Sequence, residues 1–340
     1  MDVAETADDA IVASDGASER AAGWEISVAT SDMERSGKGE ESIRNAILIA
    51  GPTASGKSRL ALDLARRHGG PVVNTDSMQV YSVLQVLTAR PGADDMQHAR
   101  HLLYGHVHPR TAYSTGAWLR EVKALAGGGE LARGRPVFVG GTGLYFRALV
   151  EGISEMPEIP DTVRERWRYE LAQQGPTKLY RILMREDSRA AMSLRPNDGQ
   201  RIVRALEVLQ ASGRSILEWQ AERGAPMIDV DSARLLVIEP DRGELVARIN
   251  KRFDTMVESG ALDEVKALDA LDLDPALPAM KAIGVRELRA VLSGAAGLDE
   301  AILHAKIATR QYAKRQSTWF RHQLGPEWRR LYGRDIFESL

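Results

Sequence analysis

An α/β fold is predicted for this 340-residue chain by three features of its sequence. An apolar run, residues 46–50, leads into Gly51-Pro52-Thr53-Ala54-Ser55-Gly56-Lys57-Ser58, which satisfies the phosphate-loop pattern G-x-x-x-x-G-K-[ST] at every fixed position. Beyond it, continuous apolar runs alternate with helical periodicity, the pattern of a parallel sheet covered on both faces. After Glu151 that alternation gives way to charged, helix-periodic sequence until a last apolar run near Ala233. Together these features predict a P-loop nucleotide-fold core with a parallel sheet flanked by helices, a helical insertion domain and C-terminal helices.

The elements follow in order. Residues 1–44 hold eleven Asp and Glu against four Lys and Arg, and they lack any sustained apolar period. Such a segment cannot offset the entropy of ordering, so a disordered acidic tail is expected. The core opens with a strand at 46–50 and a helix at 57–68. PVVNTD, residues 71–76, is a short buried strand, and LLYGHVH, residues 102–108, is another. Residues 118–131 are helical, PVFVGG supplies a strand ending at Gly140, and 144–150 begins a helix, which closes the first part of the core at 45–151. Pro157 and Pro160 mark the passage into the insertion, 152–230, with helices at 161–174, 178–185 and 199–212. ARLLVIEP, residues 233–240, returns to the sheet, and helices at 242–257 and 300–323 fill the last segment, 231–340.

Composition narrows the function classes. Without cysteine there is no disulfide, no thiolate zinc site and no cysteine nucleophile, which favours a reducing, cytoplasmic setting. No apolar run approaches the roughly 20 residues of a membrane span, and the N-terminus carries acids where a signal peptide carries Lys or Arg. The overall charge is -2, but the tail holds a net of -7, leaving +5 on the rest. A mildly basic body is compatible with a polyanionic partner without demanding one.

The phosphate loop is the first chemical signal. Its glycines let consecutive backbone N–H groups point inward, the following helix adds its positive end, Lys57 adds a point charge, and the Ser58 hydroxyl is placed to ligate magnesium. Phosphoryl-transfer enzymes also need an acid at the end of a further strand. Here VFVGG runs into Gly140-Gly141-Thr142-Gly143 with no carboxylate, and the acid on a neighbouring strand end is Asp76, followed by Ser77, Met78, Gln79, Val80 and Tyr81. Strand ends share one crevice in such sheets, so Asp76 is expected beside the loop. There it could bind metal, hold a substrate hydroxyl, accept a proton, or simply cap the next helix. The residues alone leave these roles open.

Two basic clusters form the second signal. Residues 302–323 contain no acid; Lys306, Arg310 and Lys314 recur every four residues, Arg315 and Arg321 lie near the same side, and Tyr312, Trp319 and Phe320 interleave. Such a helix could lie on a phosphate backbone and offer rings to unpaired bases, or be a solvated face over a core Trp319. In the second cluster Arg201 and Arg204 stand one turn apart at the head of a helix whose packed side carries Ile202, Leu206 and Leu209. They offer guanidinium groups to phosphate.

Taken together, GPTASGKS, DSMQVY, TARP, GGTGLYF, PNDGQRIVRALEV, INKRF, KAIGVRE and TRQYAKRQSTWFR resemble, in order and spacing, the tRNA dimethylallyltransferases, over residues 47–321. These enzymes prenylate the exocyclic amine of the adenosine on the 3′ side of the anticodon, position 37. The resemblance implies that the loop residues Gly51, Pro52, Thr53, Ala54, Ser55, Gly56, Lys57 and Ser58 hold the diphosphate of dimethylallyl diphosphate, with Mg2+ on Ser58. It implies that Asp76 is the proton acceptor and that Thr53 and Arg252 act on the leaving group. It gives contacts with the tRNA anticodon stem-loop to Asp76, Ser77, Met78, Gln79, Thr142, Gln200, Arg201, Ile202, Val203, Arg204, Lys281, Arg286, Lys314, Arg315, Gln316, Trp319 and Arg321. A monomer without a membrane partner is expected. The chain departs from the family pattern at Ser82, where Arg or Lys is usual, and at Leu87, where Gly is usual; it lacks the cysteine-rich zinc extension of eukaryotic relatives, a bacterial trait. Rival readings are prenyl transfer to free AMP or ATP, a small-molecule kinase, and a non-catalytic RNA-binding protein.

Overall fold

The structure is a computed structural model, and it describes residues 42–333. The predicted tail therefore lies outside the described residues except for its last three positions. The chain divides into two compact units, one built from residues up to Val150 and from Met227 onward, the other from Glu151–Pro226.

The first unit is built on a six-stranded sheet. Strand β1 (Ile47–Ala50) is followed by helix α1 (Lys57–His68), β2 (Val72–Asn74), α2 (Ala93–His98), β3 (His101–Leu102), α3 (Thr115–Gly127), β4 (Val137–Gly140) and α4 (Gly143–Glu151). After the insertion come β5 (Arg234–Glu239) and the helices α9 (Arg242–Glu258), α10 (Ala261–Asp269), α11 (Val285–Leu292) and α12 (Leu298–Gln323), then β6 (Arg329–Tyr332). The strand order is β3-β2-β4-β1-β5-β6 and every pairing is parallel.

Residues of β1 alternate between two apolar layers, as the two-residue period of a strand requires. Leu48 and Ala50 join Phe138, Trp118, Tyr145, Phe146 and Phe320 on one face. Ile47 and Ile49 face Leu60 and Leu64 of α1 on the other. Helix α1 stops at Gly69, whose left-handed backbone (φ 66°) ends it, while Arg66, Arg67 and His68 in the last turn complement the negative end of the helix dipole. A third cluster lies under α9 to α11, where Val80, Tyr81 and Leu84 pack with Phe253, Met256, Val265 and Leu288.

The structure departs from the sequence expectation in places. LLYGHVH is not a continuous strand: pairing stops at Leu102, Leu103 turns into the left-handed region (φ 62°), and Val107 makes only an isolated bridge to Tyr81. PVVNTD pairs only over Val72–Asn74, because the Asn74 side chain then turns the chain out of the sheet. The expected helix at 118–131 instead runs Thr115–Gly127, capped by the Ser114 hydroxyl on the Ala117 amide. Strand β6 was not anticipated. It is a charged edge strand with Leu331 as its buried residue, and charges on an edge discourage further pairing.

The second unit holds α5 (Asp161–Glu186), α6 (Ser188–Met192), α7 (Gly199–Ser212) and α8 (Ile216–Ala221). The helices expected at 161–174 and 178–185 form one element broken at Gly175, ahead of Pro176. Helix α7 begins and ends where its sequence signals place it, with Asp198 capping the Arg201 amide and Gly213 closing the end. Trp167, Leu179 and Leu183 of α5 pack against Ile202, Val203 and Leu206 of α7.

Candidate active site

Three strand ends build the site. The phosphate loop follows β1: Ser55 N donates to the Pro52 carbonyl at 3.2 Å, and Gly56 holds a left-handed conformation (φ 92°) as it hands the chain to α1. Lys57 is buried, and its Nζ donates to the Pro52 carbonyl at 3.2 Å. Burial lowers its pKa to about 8; Asp76 works against that shift and Arg252 adds to it. The Ser55 hydroxyl is buried and has no hydrogen-bond partner among the described residues. Ser58, at the head of α1, is exposed.

Asp76 is set by the end of β2. Asn74 accepts the Asp76 amide at 2.8 Å and donates to the carbonyls of Asp76 and Leu103, each at 2.9 Å, so one side chain fixes the turn. The Trp118 indole anchors it from below by donating to the Asn74 carbonyl at 2.9 Å. Asp76 Oδ1 accepts the Met78 amide at 3.0 Å. The end of β4 passes hard against this turn: a Cβ on Gly140 would lie 2.1 Å from the Thr75 backbone, so only glycine fits. Thr142 Oγ1, buried, accepts the Ser77 amide at 2.9 Å and so ties the GGTG turn to the segment after Asp76.

Helix α9 closes the remaining side. Arg252 has its pKa lowered by burial, with Asp76 pulling it back up. Thr53, Asp76 and Arg252 line one pocket together with Leu87, Ile249, Phe253 and Met256. Ile249, Arg252, Phe253 and Met256 fall at i, i+3, i+4 and i+7, one face of one helix. Arg252 is the residue of this face that the resemblance marks; the spacing of its apolar neighbours was visible in the sequence. Arg248, marked by no motif, donates to the Ser55 carbonyl at 3.4 Å.

Residues proposed for tRNA divide by environment. Lys314, Arg315 and Arg321 are exposed on α12, Gln200 and Arg201 are exposed on α7, and Arg286 is exposed on α11. Lys281 and Arg204 are partly buried, with Arg204 3.5 Å from Glu207. Ile202 and Val203 are core residues of the insertion. Trp319 packs edge-on to Phe320 and against Gly143 in the sheet core. Gln316 is buried: its Oε1 accepts the Thr53 amide at 2.8 Å and its Nε2 donates to the Gly141 carbonyl at 2.9 Å. Gln79 spends its amide N–H groups on the carbonyls of Thr88 and Ala89. The basic stripe of α12 also splits: Lys306 pairs with Asp254 at 2.6 Å and Arg310 donates to Asn250 at 3.1 Å, so both hold α12 to α9.

A family model described as IPP transferase matches residues 79–323, and one described as isopentenyl transferase matches residues 44–107. The chain belongs to the IPP transferase family. Within that family it is 69% identical over 311 residues to a tRNA dimethylallyltransferase of Mesorhizobium japonicum, a match covering 91% of this chain and 97% of the relative. A tRNA dimethylallyltransferase of a Chelativorans strain is 59% identical, covering 85% of this chain and 99% of the relative. Among solved structures, the tRNA isopentenylpyrophosphate transferase of Bacillus halodurans superposes with a TM-score of 0.60 at 31% identity, over 86% of this chain and 93% of that one. A eukaryotic dimethylallyltransferase described as acting on tRNA gives 0.68 at 26% identity, over 84% and 73%. The six-stranded parallel sheet flanked by helices is thus the fold of IPP transferases.

Proposed function

We infer that this chain transfers a dimethylallyl group from dimethylallyl diphosphate to N6 of adenosine 37, beside the anticodon of tRNA, releasing diphosphate. The single observation that supports it best is a pocket of mixed character, in which Thr53, Asp76 and Arg252 offer charge and hydrogen bonds and Leu87, Ile249, Phe253 and Met256 offer apolar surface. A diphosphate carrying a five-carbon hydrocarbon needs both. The relatives named tRNA dimethylallyltransferase supply the acceptor.

The exocyclic amine of adenine is a weak nucleophile, since its lone pair is delocalised into the ring. Displacement therefore depends on stabilising the departing diphosphate. The C1–O bond of the donor breaks as N6 bonds to C1. The loop amides at 54 and 56–58, Lys57 and Arg252 take up the developing negative charge, and Asp76 receives the proton that N6 loses. The arriving anion offsets the burial that lowers the Lys57 pKa to about 8 and so favours its charged form. Burial of Lys57 keeps these interactions strong.

Magnesium fits this site in a limited way. Among the described residues no group of three or more His, Cys, Asp or Glu could hold a metal. Ser58 at the head of α1 and the buried, unpartnered Ser55 hydroxyl are oxygens the loop offers. Mg2+ keeps several waters and binds through few protein oxygens plus substrate phosphates, which suits so sparse a set; when bound it would neutralise diphosphate charge. The exposed Lys314, Arg315 and Arg321 on α12, and Gln200 and Arg201 on the insertion, are proposed to meet the phosphates of the anticodon arm. The target base has to leave its stack to reach Asp76. No described helix is long and apolar enough to cross a membrane; a cytoplasmic monomer is proposed.

Incubating the protein with radiolabelled dimethylallyl diphosphate and, in parallel, tRNA, AMP or ATP tests this reading. Label is expected in tRNA alone. Label in AMP or ATP, or phosphate transferred from ATP without prenylation, would replace it by one of the rivals.

A further inference from the structure

The segment that carries Asp76 and the loop that follows it are braced into one body. Gln79 Nε2 donates to the carbonyls of Thr88 and Ala89 at 2.9 and 3.0 Å, and the Arg90 guanidinium donates to those of Tyr81 and Ser82 at 3.0 and 3.1 Å. Glu264 fastens this body to the helices opposite. Residues 85–87 turn three consecutive backbone N–H groups onto its carboxylate: Gln85 N at 2.5 Å and Val86 N at 2.7 Å to Oε1, and Leu87 N at 2.9 Å to Oε2. Consecutive N–H groups pointing inward form a concavity that suits an anion, and without one their dipoles oppose each other. Glu264 stands in the first turn of α10, which follows α9 after the turn at Ser259 and Gly260. Val265 and Leu268, both fully buried in one cluster with Val80, Tyr81 and Leu84, seat α10 itself.

We propose that Glu264 is a positioning residue for the transfer step: it holds the loop 85–90, and through it the Asp76 segment, against the helix pair that carries Arg252. The inference rests on the function proposed above and deepens it. Proton acceptor and leaving-group clamp come from different parts of the chain, Asp76 from the end of β2 and Arg252 from α9, and both line one pocket with Leu87 and Thr88 of the loop. N6 bonds to C1 while C1 parts from the diphosphate, so the two groups have to keep one separation, and a misplacement of about 1 Å costs about 100-fold in rate. Apolar packing against α10 is non-directional and leaves the loop free to slide. Three N–H bonds to a charge fix both its place and its orientation. Glu264 does not line the pocket, so it acts through the loop it holds.

The test is a double-mutant cycle with the proton acceptor. Single-turnover rates of prenyl transfer, with tRNA and dimethylallyl diphosphate both saturating, are measured for the wild type, Glu264→Gln, Asp76→Asn and the pair. Glu264→Gln keeps the size of the side chain, removes its charge and sets an amide N–H2 against backbone N–H. Its rate is expected to fall about 10- to 100-fold, with the dissociation constant for tRNA within about twofold of wild type and the circular dichroism spectrum unchanged. In the Asp76→Asn background the same change is expected to cost less than about threefold, because placing an acceptor that is no longer there gains nothing. Equal factors in both backgrounds overturn the proposal, since they would mark Glu264 as support for the fold at large. A Glu264→Gln rate within about twofold of wild type, or a loss that appears only in tRNA affinity, overturns it too. If Glu264→Gln does not fold, Glu264→Asp, which keeps the charge and shortens the reach by one methylene, carries the same cycle with smaller factors. Failure of the wild type to prenylate tRNA would instead overturn the proposed function, so the two are separable.

Discussion

Gln316 of α12 accepts a hydrogen bond from the Thr53 amide at 2.8 Å, across 263 positions of sequence. With its second bond, to the Gly141 carbonyl, one buried side chain joins the phosphate loop, the glycine turn after β4 and the basic C-terminal helix. Gln316→Leu removes a donor and an acceptor and leaves two backbone groups unpaired, at about 1–3 kcal/mol each. The expected result is a lower melting temperature and a fall in kcat/KM for dimethylallyl diphosphate of about tenfold or more, read by thermal unfolding and steady-state kinetics. Gln316→Glu keeps the acceptor for Thr53 but sets an oxygen against the Gly141 carbonyl, and is expected to be no milder.

Asp76→Asn preserves an acceptor for the Met78 amide and removes the proton acceptor. Transfer is expected to fall by about 10² to 10⁴, while tRNA affinity measured by filter binding stays within a few-fold of wild type. Normal turnover in this variant would remove the base assignment.

Lys57 gives the donor site a pH dependence. Its folded pKa, about 8, lies below the ordinary 10.5 because it is buried. The cation is therefore present in the free protein below pH 8 and lost above it, and the bound anion favours the cation. Affinity for dimethylallyl diphosphate is expected to be nearly flat below pH 8 and to weaken by up to about tenfold per unit above it. Titration calorimetry in buffers of different ionisation enthalpy should report proton uptake on binding near pH 8.5; uptake of no proton would contradict the assignment to Lys57.

Lysines of α12 should separate into two kinds. Lys314→Ala is expected to weaken tRNA binding and reduce the slope of log K against log salt by about 0.7–0.9. Lys306→Ala breaks its pair with Asp254 and should lower stability modestly while leaving that slope unchanged. Equal effects of both on the slope would mean that the whole stripe faces RNA.

What the sequence revealed was mostly local. The phosphate loop and the ends of α7 are written in adjacent residues, where glycine conformation, capping and hydrophobic spacing act over a few positions. The site components that were missed depend on partners distant in the chain. Lys306 and Arg310 read as an open basic stripe because Asp254 and Asn250, which engage them, lie on another helix. The resemblance gives Gln316 and Trp319 to tRNA, whereas both are buried against glycines after β4, Gly141 and Gly143, which no local pattern pairs with them. The strand expected through residues 102–108 failed for a similar reason: Gly105 and Val107 bond to Gln79 and Val80, a preference no local pattern encodes. Leu87 stood out only as a departure, and the hold of Glu264 on its amide became visible in three dimensions.

The insertion carries its own clasp: Gly224 N donates to the Ile153 carbonyl at 3.2 Å and Arg223 pairs with Glu151 at 3.2 Å. Once that helical segment forms, its two ends leave as neighbours. The insertion then adds little to the loop that separates β4 from β5, and β5 returns to the sheet beside β1 without searching the volume open to a long free segment.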